Sequence, residues 1–552
     1  MLRKFSALAA VLLIGVGATA VSAQSAPRID PARLDEHTRI LSSDEFEGRG
    51  PATPGEEKTV KYISEQMAAA GLEPGGPNGS WFQDVILTRF EEVGTPTMSL
   101  RGTDGSWTVP LAYGDDAVVG SKRPVDRTTI ENAPLVFVGY GIHAPERGWD
   151  DYAGLDMRGK IAVVLINDAD FEEPALNTFN GRAMTYYGRW TYKFEEAARQ
   201  GAAGILIVHE DAPASYGWRT VRNSWSGVPQ FDIVRENPNA AWAPVQGWIQ
   251  RPVAVDLFRR SGLDFEALKA KARQKGFRGV PLKATFSTDF RQKAERIVTR
   301  NVIGIVKGSR APQETILYTA HWDHLGVGVP DANGDRIMNG ALDNATGIAG
   351  LLEIGRLFAQ GPKPERSVVF IAYTVEEKGL LGSEFYGANP VYPLETTVAG
   401  FNMDGLQIAG PTRDIDVVGY GQSDLEDDLV RVAATQNRVV KPESRPEAGS
   451  FYRSDHFPLA KRGVPMLYAG SGNDLVNGGE AAGEAWGREY NVNRYHQPDD
   501  EWAPGWDWSG AVLDLMVNYE IGRELAFSNR WPQWKPTSEF KPARDASAAS
   551  RR

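Results

Sequence analysis

Cysteine is absent from all 552 residues of the sequence. Its absence excludes disulfide bonds, thiolate zinc fingers, iron–sulfur clusters and a cysteine nucleophile. It also excludes a lipid-modified N-terminal cysteine, so any exported form would be soluble. Hydrophobic residues make up 42% of the chain and charged residues 24%. These proportions are ordinary for a folded globular protein, and the length predicts several domains or a few large ones.

An excess of positive charge is also lacking, since 60 Lys and Arg face 71 Asp and Glu, for a net charge of −11. Such an acidic chain is poorly suited to bind nucleic-acid phosphates or anionic lipid. Long apolar runs are missing after the N-terminus, where no segment reaches 18 apolar residues. We therefore expect no nucleic-acid partner and no stable membrane association of the mature protein.

The N-terminus has the three parts of a signal peptide. Residues 1–23 begin with basic residues, continue with an apolar run over 7–21, and end with small side chains at Val21 and Ala23. We expect cleavage after residue 23 and export to the periplasm or the medium. The alternative is an N-terminal membrane anchor, for which the run is short and rich in Gly and Ala.

The chain divides into regions of different composition. Residues 30–117 open with two helical stretches around a turn-rich loop. Residues 118–290 contain a strand–helix–strand pattern of their own, and residues 296–530 alternate short apolar runs with amphipathic stretches. Residues 531–552 are polar, and we expect them to be disordered.

The alternation in residues 296–530 predicts an α/β fold. Runs such as ETILYTAHW and RSVVFIAYT are typical of buried strands, and NATGIAGLLEIGRLFAQ is typical of a helix that covers them. Strands of this kind form a mostly parallel, mixed central sheet flanked by helices. Sheets of this class place their chemistry at the carboxyl ends of the strands.

Carboxylates and histidines stand where these predicted strands end. No Lys or Arg lies within three residues of Asp343 or Asp404, so a metal ion is the natural counter-charge. His, Asp and Glu without Cys are suitable ligands for zinc, or for cobalt or manganese as substitutes. Each position alone has a simpler explanation, such as a helix cap at Asp343. Five sites of this kind occur in order along the α/β region: His321, Asp343, the pair Glu376–Glu377, Asp404 and His496.

The motifs HWDHLG, NGALDNATG, EEKGLLGS, NMDG and YHQPDDE, in this order, resemble the aminopeptidase Y / glutamate carboxypeptidase family of co-catalytic zinc metallopeptidases. The resemblance covers residues 296–530, and FEGRGPATPGEEKTVKYISEQMAAAGL fits the family's N-terminal segment. It implies a zinc-exopeptidase (phosphorylase/hydrolase-like) fold, with residues 30–117 as the first part of the peptidase domain. It also implies peptide substrates and two zinc ions per chain.

The region 118–290 resembles an inserted protease-associated (PA) domain, a β-rich α/β module. The resemblance rests on GYGI, GKIAVVLI and KFEEAARQGAAGILIVHE. We expect the insert to be a separate lobe over the metal cleft, so that the metal ligands would stay in place without it. We interpret its Trp-rich stretch GWRTVRNSWSG as packing a domain interface rather than lining a substrate cleft.

The family resemblance implies a metal ligand set. Asp343 would bridge the two metal ions. His321 and Asp404 would complete one ion, and Glu377 and His496 the other. Each ion then has three protein ligands and a shared water, the open arrangement of catalytic zinc.

The same resemblance implies three catalytic roles. Glu376 would be the general base that takes a proton from the shared water and returns it to the leaving amine. Asp323 would orient the imidazole of His321 through its carboxylate. Tyr495 would stabilise the oxyanion with its phenol.

Two further expectations concern residues near this set. The resemblance implies a cis peptide bond after Asp343. His324 and His456 have no implied role, and we expect both to form structural hydrogen bonds.

The leading hypothesis is an exported dizinc aminopeptidase. A carboxypeptidase of the same family is the alternative, but it needs clustered arginines, and Arg453 is one candidate by itself. A glutaminyl cyclase of this fold keeps a single zinc, and a receptor-like binding protein has lost the ligands. The complete set of five ligands argues against both.

Overall fold

The computed structural model describes residues 28–551, so the predicted signal peptide at 1–23 lies outside the described residues. Among these residues, none of the helices combines the length and the apolar character that a bilayer crossing requires. The two expected helical stretches are present. The first elements are α1 (Pro31–Leu41), α2 (Pro54–Ala70), β1 (Glu73–Pro74), β2 (Phe82–Gly102), β3 (Thr108–Leu111) and β4 (Ala117–Gly120).

The insert contains the predicted strand–helix–strand core and several shorter elements. Its elements are β5 (Arg127–Phe137), β6 (His143–Ala144), β7 (Trp149–Asp150), β8 (Ile161–Leu165), α3 (Ala169–Glu172), α4 (Trp190–Arg199), β9 (Gly204–His209), α5 (Asp211–Ala214), α6 (Trp218–Trp225), β10 (Gln230–Ile233), α7 (Pro238–Ala241), β11 (Val245–Gln250), α8 (Arg251–Arg260), α9 (Phe265–Ala272) and β12 (Val280–Val306).

The C-terminal region continues with alternating strands and helices, as the hydrophobic pattern predicts. Its elements are β13 (Ala311–His321), β14 (Gly326–Val327), β15 (Ile337–Met338), α10 (Thr346–Gln360), β16 (Arg366–Tyr373), α11 (Leu381–Ala388), β17 (Thr397–Asn402), β18 (Asp414–Val417), α12 (Leu425–Thr435), β19 (Val439–Pro442), α13 (His456–Ala460), β20 (Met466–Ser471), α14 (Gly479–Asn493), α15 (Ser509–Ala526) and α16 (Lys541–Ala546).

Within the described chain, one mixed sheet joins most of these strands. Its main path runs β19-β18-β20-β17-β13-β16-β12-β5-β8-β9-β11-β4. β13 pairs in parallel with β16 and β17, and β8 pairs in parallel with β5 and β9. Antiparallel neighbours occur where β12 meets β16 and β5, and at the edges. The predicted α/β class with a mostly parallel, mixed sheet is confirmed.

Two long strands connect the insert with the C-terminal region. β2 and β12 pair with each other in antiparallel fashion over most of their lengths. The first part of β12 pairs with β5 of the insert, and its last residues pair with β16. The insert therefore shares a sheet with the rest of the chain. A single strand can belong to both regions because it is 27 residues long.

The central strands are apolar on both faces because helices cover both sides of the sheet. Every residue of β16 is buried. In the core between the sheet and α10, the ring of Tyr318 stacks between Phe370 and Phe401, with ring centroids 5.4 and 4.9 Å away. This packing holds β16, β13 and β17 side by side with their carboxyl ends at one edge.

The polar tail is ordered over 531–551, so the prediction of disorder is wrong there. The indole Nε1 of Trp534 donates to the carbonyl of Gly463 at 2.9 Å. Arg544, in α16, is 1% exposed and donates to the carbonyls of Thr397 and Val398 at 2.9 and 3.1 Å. Amino-acid composition does not indicate this order. The segment is polar overall, but a few buried side chains attach it to the rest of the protein.

Candidate metal centre

The predicted site residues come together at one edge of the sheet. β13 ends at His321, Glu376 and Glu377 follow β16, and Asp404 follows β17. These three strands are parallel neighbours, so the segments after them emerge side by side. His496 joins them from the loop after α14. The side chains of the predicted ligands therefore lie near one another at this edge of the sheet.

Asp343 reaches the site from the tight turn Ala341–Ala345, directly before α10. The carboxylate of Asp500 holds this turn by accepting the backbone N–H groups of Leu342 and Asp343 at 3.0 and 3.1 Å. The peptide bond between Asp343 and Asn344 is cis. This agrees with the expectation from the family resemblance.

The two carboxylate oxygens of Asp343 face two different groups. Its Oδ1 lies 3.2 Å from His321 Nε2, which is also 3.3 Å from Asp404 Oδ1. Its Oδ2 lies 3.5 Å from His496 Nε2, which is also 2.9 Å from Glu377 Oε2. The five predicted ligands therefore form two sets of three that share Asp343.

These distances suit two zinc-sized ions. Zinc binds imidazole nitrogen and carboxylate oxygen at about 2.0–2.2 Å in tetrahedral geometry, which places neighbouring donor atoms about 3.3–3.5 Å apart. Among residues 28–551, the ion-pair partners of the Asp343, Glu377 and Asp404 carboxylates are all histidines. The donor set therefore fits a pair of divalent cations that would supply the positive charge.

The protonation pattern of the side chains points the same way. Burial lowers the pKa of His496, but the carboxylates of Glu377 and Asp343 outweigh burial and raise it to about 9. Burial raises the pKa of Asp343, but His321 and His496 outweigh burial and hold it well below its usual value. Positive charge is thus strongly favoured between these carboxylates, as bound cations would provide.

Residues 301–519 match the model of peptidase family M28. This part of the chain is therefore similar to the peptidases of that family. The M28 region contains all five predicted ligands and Glu376.

Comparison with individual proteins agrees with this assignment. A probable zinc metalloprotease of Pyrenophora teres f. teres (strain 0-1) is 40% identical over 83 residues, 15% of this chain and 17% of that protein. Aminopeptidase NAALADL1 of Mus musculus is 31% identical over 437 residues, 68% of this chain and 53% of the mouse protein. The chain thus spans at most about half the length of these relatives. The solved aminopeptidase from Aneurinibacillus sp. strain AM-1 shares the fold, with a TM-score of 0.50 and 18% identity over 90% of this chain and 93% of that one.

The adjacent glutamates of the M28 region face different parts of the site. Donor atoms of Glu376 lie with those of His321 and Asp404 in a group within 4.8 Å of one another. Glu377 instead faces His496. Burial raises the pKa of Glu376 well above its usual value, against the opposing charge of His321. The two side chains therefore point to different parts of the site.

Asp323 contacts its neighbours differently from the expected arrangement. The Nδ1 of His321 lies 3.1 Å from the backbone carbonyl of Asp323 and 3.9 Å from its carboxylate. The carboxylate accepts the backbone N–H groups of Glu376 and Glu377 at 3.0 and 3.4 Å. Asp323 therefore orients the imidazole through its backbone and the glutamate turn through its side chain.

The two histidines without an implied role differ from each other. His324 Nδ1 lies 2.6 Å from Glu377 Oε1, so its hydrogen bond reaches a predicted metal ligand. His456 is fully buried between the rings of Phe451 and Tyr468, and neither of its ring nitrogens has a hydrogen-bond partner among the described residues. The expected structural hydrogen bond of His456 is wrong. Apolar packing decides its environment.

This environment predicts a pH-dependent gain from His456→Phe. Burial lowers the pKa of His456 from 6.5 to about 3, so the unfolded chain takes up a proton below pH 6.5 that the folded chain refuses. The wild type then loses about 2 kcal/mol of stability between pH 8 and pH 5 through this residue. We expect the advantage of His456→Phe in urea unfolding to grow by about that amount over this range. Parallel pH profiles of the two proteins would contradict the prediction.

Arg49 is a residue of the site that sequence reasoning missed, although it lies in the FEGRG motif. It is fully buried and donates to the backbone carbonyls of the loops that carry His321 and Asp343. Its acceptors are the carbonyls of Trp322 at 2.8 Å, Leu41 at 2.9 Å, Asn339 at 2.5 Å, Gly340 at 2.7 Å and Asp343 at 3.4 Å. Arg49 thereby ties the N-terminal segment to two ligand loops.

Two cavities of about 310 and 320 Å³ meet beside the candidate metal centre. Both are lined by Glu376, Glu377, Arg453 and Tyr495. The Tyr495 hydroxyl accepts from Arg453 Nη2 at 2.8 Å, and its ring lies against His496 with centroids 3.9 Å apart. Tyr495 therefore lies beside the predicted ligand His496 and lines both cavities.

The insert forms much of the first cavity. Trp190 and Trp225 line it from α4 and α6, and Ser224 lies at the end of α6. The Trp-rich stretch thus lines the cleft as well as packing an interface. The insert also supplies Arg189, which is 8% exposed and lines the same cavity as Arg453. Sequence reasoning missed Arg189 because an arginine directly before a predicted helix gives no local sign that it lines a cavity.

Proposed function

We propose that the protein is an exported dizinc metallo-exopeptidase that hydrolyses peptide bonds at chain ends, with aminopeptidase activity as the leading form. The two oxygens of Asp343, each facing a separate histidine–carboxylate pair, are the observation that carries this proposal. The match of residues 301–519 to peptidase family M28 supports it. Export rests on residues 1–23, and the N-terminal sequence of the secreted protein would test it.

The side chains of the site would hold two separate zinc ions. Asp343, His321 and Asp404 would hold one zinc ion, and Asp343, Glu377 and His496 the other. When bound, the two ions polarise the scissile carbonyl and make water more acidic.

Glu376 is placed to move the proton. Its carboxylate is buried and forms no hydrogen bond to a side chain or backbone group of the described residues, so it is free to accept a proton from water. The carboxyl group formed in this way would hold the proton until the leaving amine takes it. Tyr495 would donate its hydroxyl proton toward the carbonyl oxygen as negative charge develops there.

A substrate panel tests the leading form. The panel contains fluorogenic aminoacyl amides and N-blocked peptides with a free carboxyl end, each assayed with and without a chelator. We expect cleavage of the aminoacyl amides, loss of activity with the chelator, and about two zinc ions per chain by mass spectrometry. A chain that binds no metal would support the receptor-like alternative, and one ion would support the cyclase-like alternative.

The arginines favour a carboxypeptidase as the second candidate. Arg453 and Arg189 both line the first cavity, and no carboxylate within residues 28–551 forms an ion pair with either. Burial, and next the charge of Arg453, lower the pKa of Arg189 to about 10. Two guanidinium groups that line one cavity without an ion-pair partner favour an anion, such as the carboxylate at the end of a peptide.

Arg189→Gln separates the two candidates. If the cavity binds a carboxyl end, kcat/KM for N-blocked peptides should fall about 10–100-fold, the range expected for losing a hydrogen bond to a charged group. Cleavage of aminoacyl amides should be unchanged. Arg158→Gln, at an exposed position of the insert, is the matched control. Equal effects of Arg189→Gln on both substrate classes would contradict the second candidate.

A further inference from the structure

Helix α6 of the insert contacts the predicted metal ligand His496. The Oγ of Ser224 lies 3.1 Å from His496 Nδ1, and Asn223 Nδ2 donates to the backbone carbonyl of His496 at 3.0 Å. The other ring nitrogen, Nε2, faces Asp343 and Glu377. Ser224 therefore binds the side of the imidazole that points away from the other ligands.

This contact selects the form of the ring that a metal needs. A neutral imidazole that offers the Nε2 lone pair to a metal carries its proton on Nδ1. That Nδ1–H group would donate to Ser224 Oγ. Such partners of the remote nitrogen set the tautomer and the orientation of metal-binding histidines.

Ser224 is itself held in place by the loop of the adjacent ligand. Its backbone carbonyl accepts from Lys378 Nζ at 2.8 Å and from Gln230 Nε2 at 2.9 Å. Lys378 directly follows Glu377 in the chain. The end of α6 thus connects the two side chains, Glu377 and His496, that would share one ion.

The backbone of His496 also needs external support. Its φ of +56° lies in the left-handed region, which is strained for a residue with a side chain. The side-chain amide of Asn223 donates to the His496 carbonyl, and this hydrogen bond helps to maintain the conformation. The support comes again from the insert.

We propose that α6 of the insert is a structural part of the metal centre, and that Ser224 is a positioning residue that holds the His496 imidazole with Nε2 toward the metal. The proposal rests on the dizinc site of the proposed function. It makes affinity for the ion at Glu377 and His496 depend on the insert, contrary to the expectation that the ligands stay in place without it.

Zinc titration of Ser224→Ala tests the proposal. Metal content is measured by mass spectrometry after equilibration with buffers of defined free zinc. We expect affinity for one of the two ions, the one at Glu377 and His496, to fall about 10–100-fold, as is usual when such a partner is removed. Affinity for the other ion should stay unchanged, Ser224→Thr should restore binding, and excess zinc should restore turnover of Ser224→Ala.

Ser226→Ala is the matched control, because Ser226 lies two residues further along the same segment, is buried and forms no hydrogen bond to His496. Equal zinc affinities of Ser224→Ala and Ser226→Ala would overturn the proposal. If Ser224→Ala fails to fold, Asn223→Ala replaces it and should also weaken one ion. Failure of the wild type to bind two ions would instead refute the proposed function.

Discussion

Replacing Glu376 with Gln is expected to lower turnover about 10²–10⁴-fold while two metal ions per chain stay bound. The amide keeps the shape of the side chain but cannot accept a proton, so the contribution of a general base is lost. The carboxylate of Glu376 is buried and has no protein hydrogen bond within the described residues, so the change disturbs little else. Metal stoichiometry and kcat, measured on the same sample, check this expectation.

Glu377→Gln is the matched comparison, since it makes the same chemical change at the neighbouring residue. Glu377 lies 2.9 Å from His496 and 2.6 Å from His324, on the side of the second predicted ion. A neutral amide is a poorer ligand for a dication, so one ion should be lost and excess zinc should restore part of the activity. If Glu376→Gln loses metal while Glu377→Gln keeps both ions, the two roles must be exchanged.

Arg49→Leu is expected to destabilise the fold by about 3–5 kcal/mol and to reduce zinc content. Leucine leaves buried carbonyl groups without their donor, and each such loss costs about 1–3 kcal/mol. The affected loops carry His321 and Asp343, so their disorder should weaken metal binding. Urea unfolding and metal analysis of the purified variant measure both effects.

Two further variants complete the test of Arg49. Arg49→Lys keeps the charge, but all of its N–H donors are on one nitrogen, so it can reach fewer of the carbonyls. Its free energy of unfolding should therefore lie between those of the wild type and Arg49→Leu. Arg39→Leu, at an exposed position of α1, should change stability by less than about 0.5 kcal/mol. If Arg49→Leu unfolds at the same urea concentration as Arg39→Leu, the hydrogen bonds of Arg49 do not stabilise the ligand loops.

The positions of the candidate metal ligands at strand ends follow from local rules, and the family resemblance of the motifs implied their roles. The strands ending near His321, Glu376 and Asp404 are short apolar runs that a pattern detects. Parallel strands then place the residues after their carboxyl ends at one edge of the sheet, whatever the details of packing. The ligand sites therefore needed no knowledge of distant contacts.

Other features depend on contacts between segments far apart in the chain. Ser224 reaches His496 across 272 positions, and Arg49 reaches Asp343 across 294. Arg544 attaches a polar tail to β17 through two backbone carbonyls. A serine or an arginine of this kind carries no local signal, because its partner is set by how the sheet and the loops assemble.

The sequence by itself determined the α/β class and, through the family resemblance of its motifs, the five candidate ligands. Hydrophobic periodicity and the order of the motifs are properties of the sequence, so they can be identified without a structure. Only the tertiary structure decided that β12 joins the insert to the main sheet, that Arg189 faces the same cavity as Arg453, and that α6 contacts His496. These relations depend on distances in the folded chain, which residue types and spacing alone do not specify.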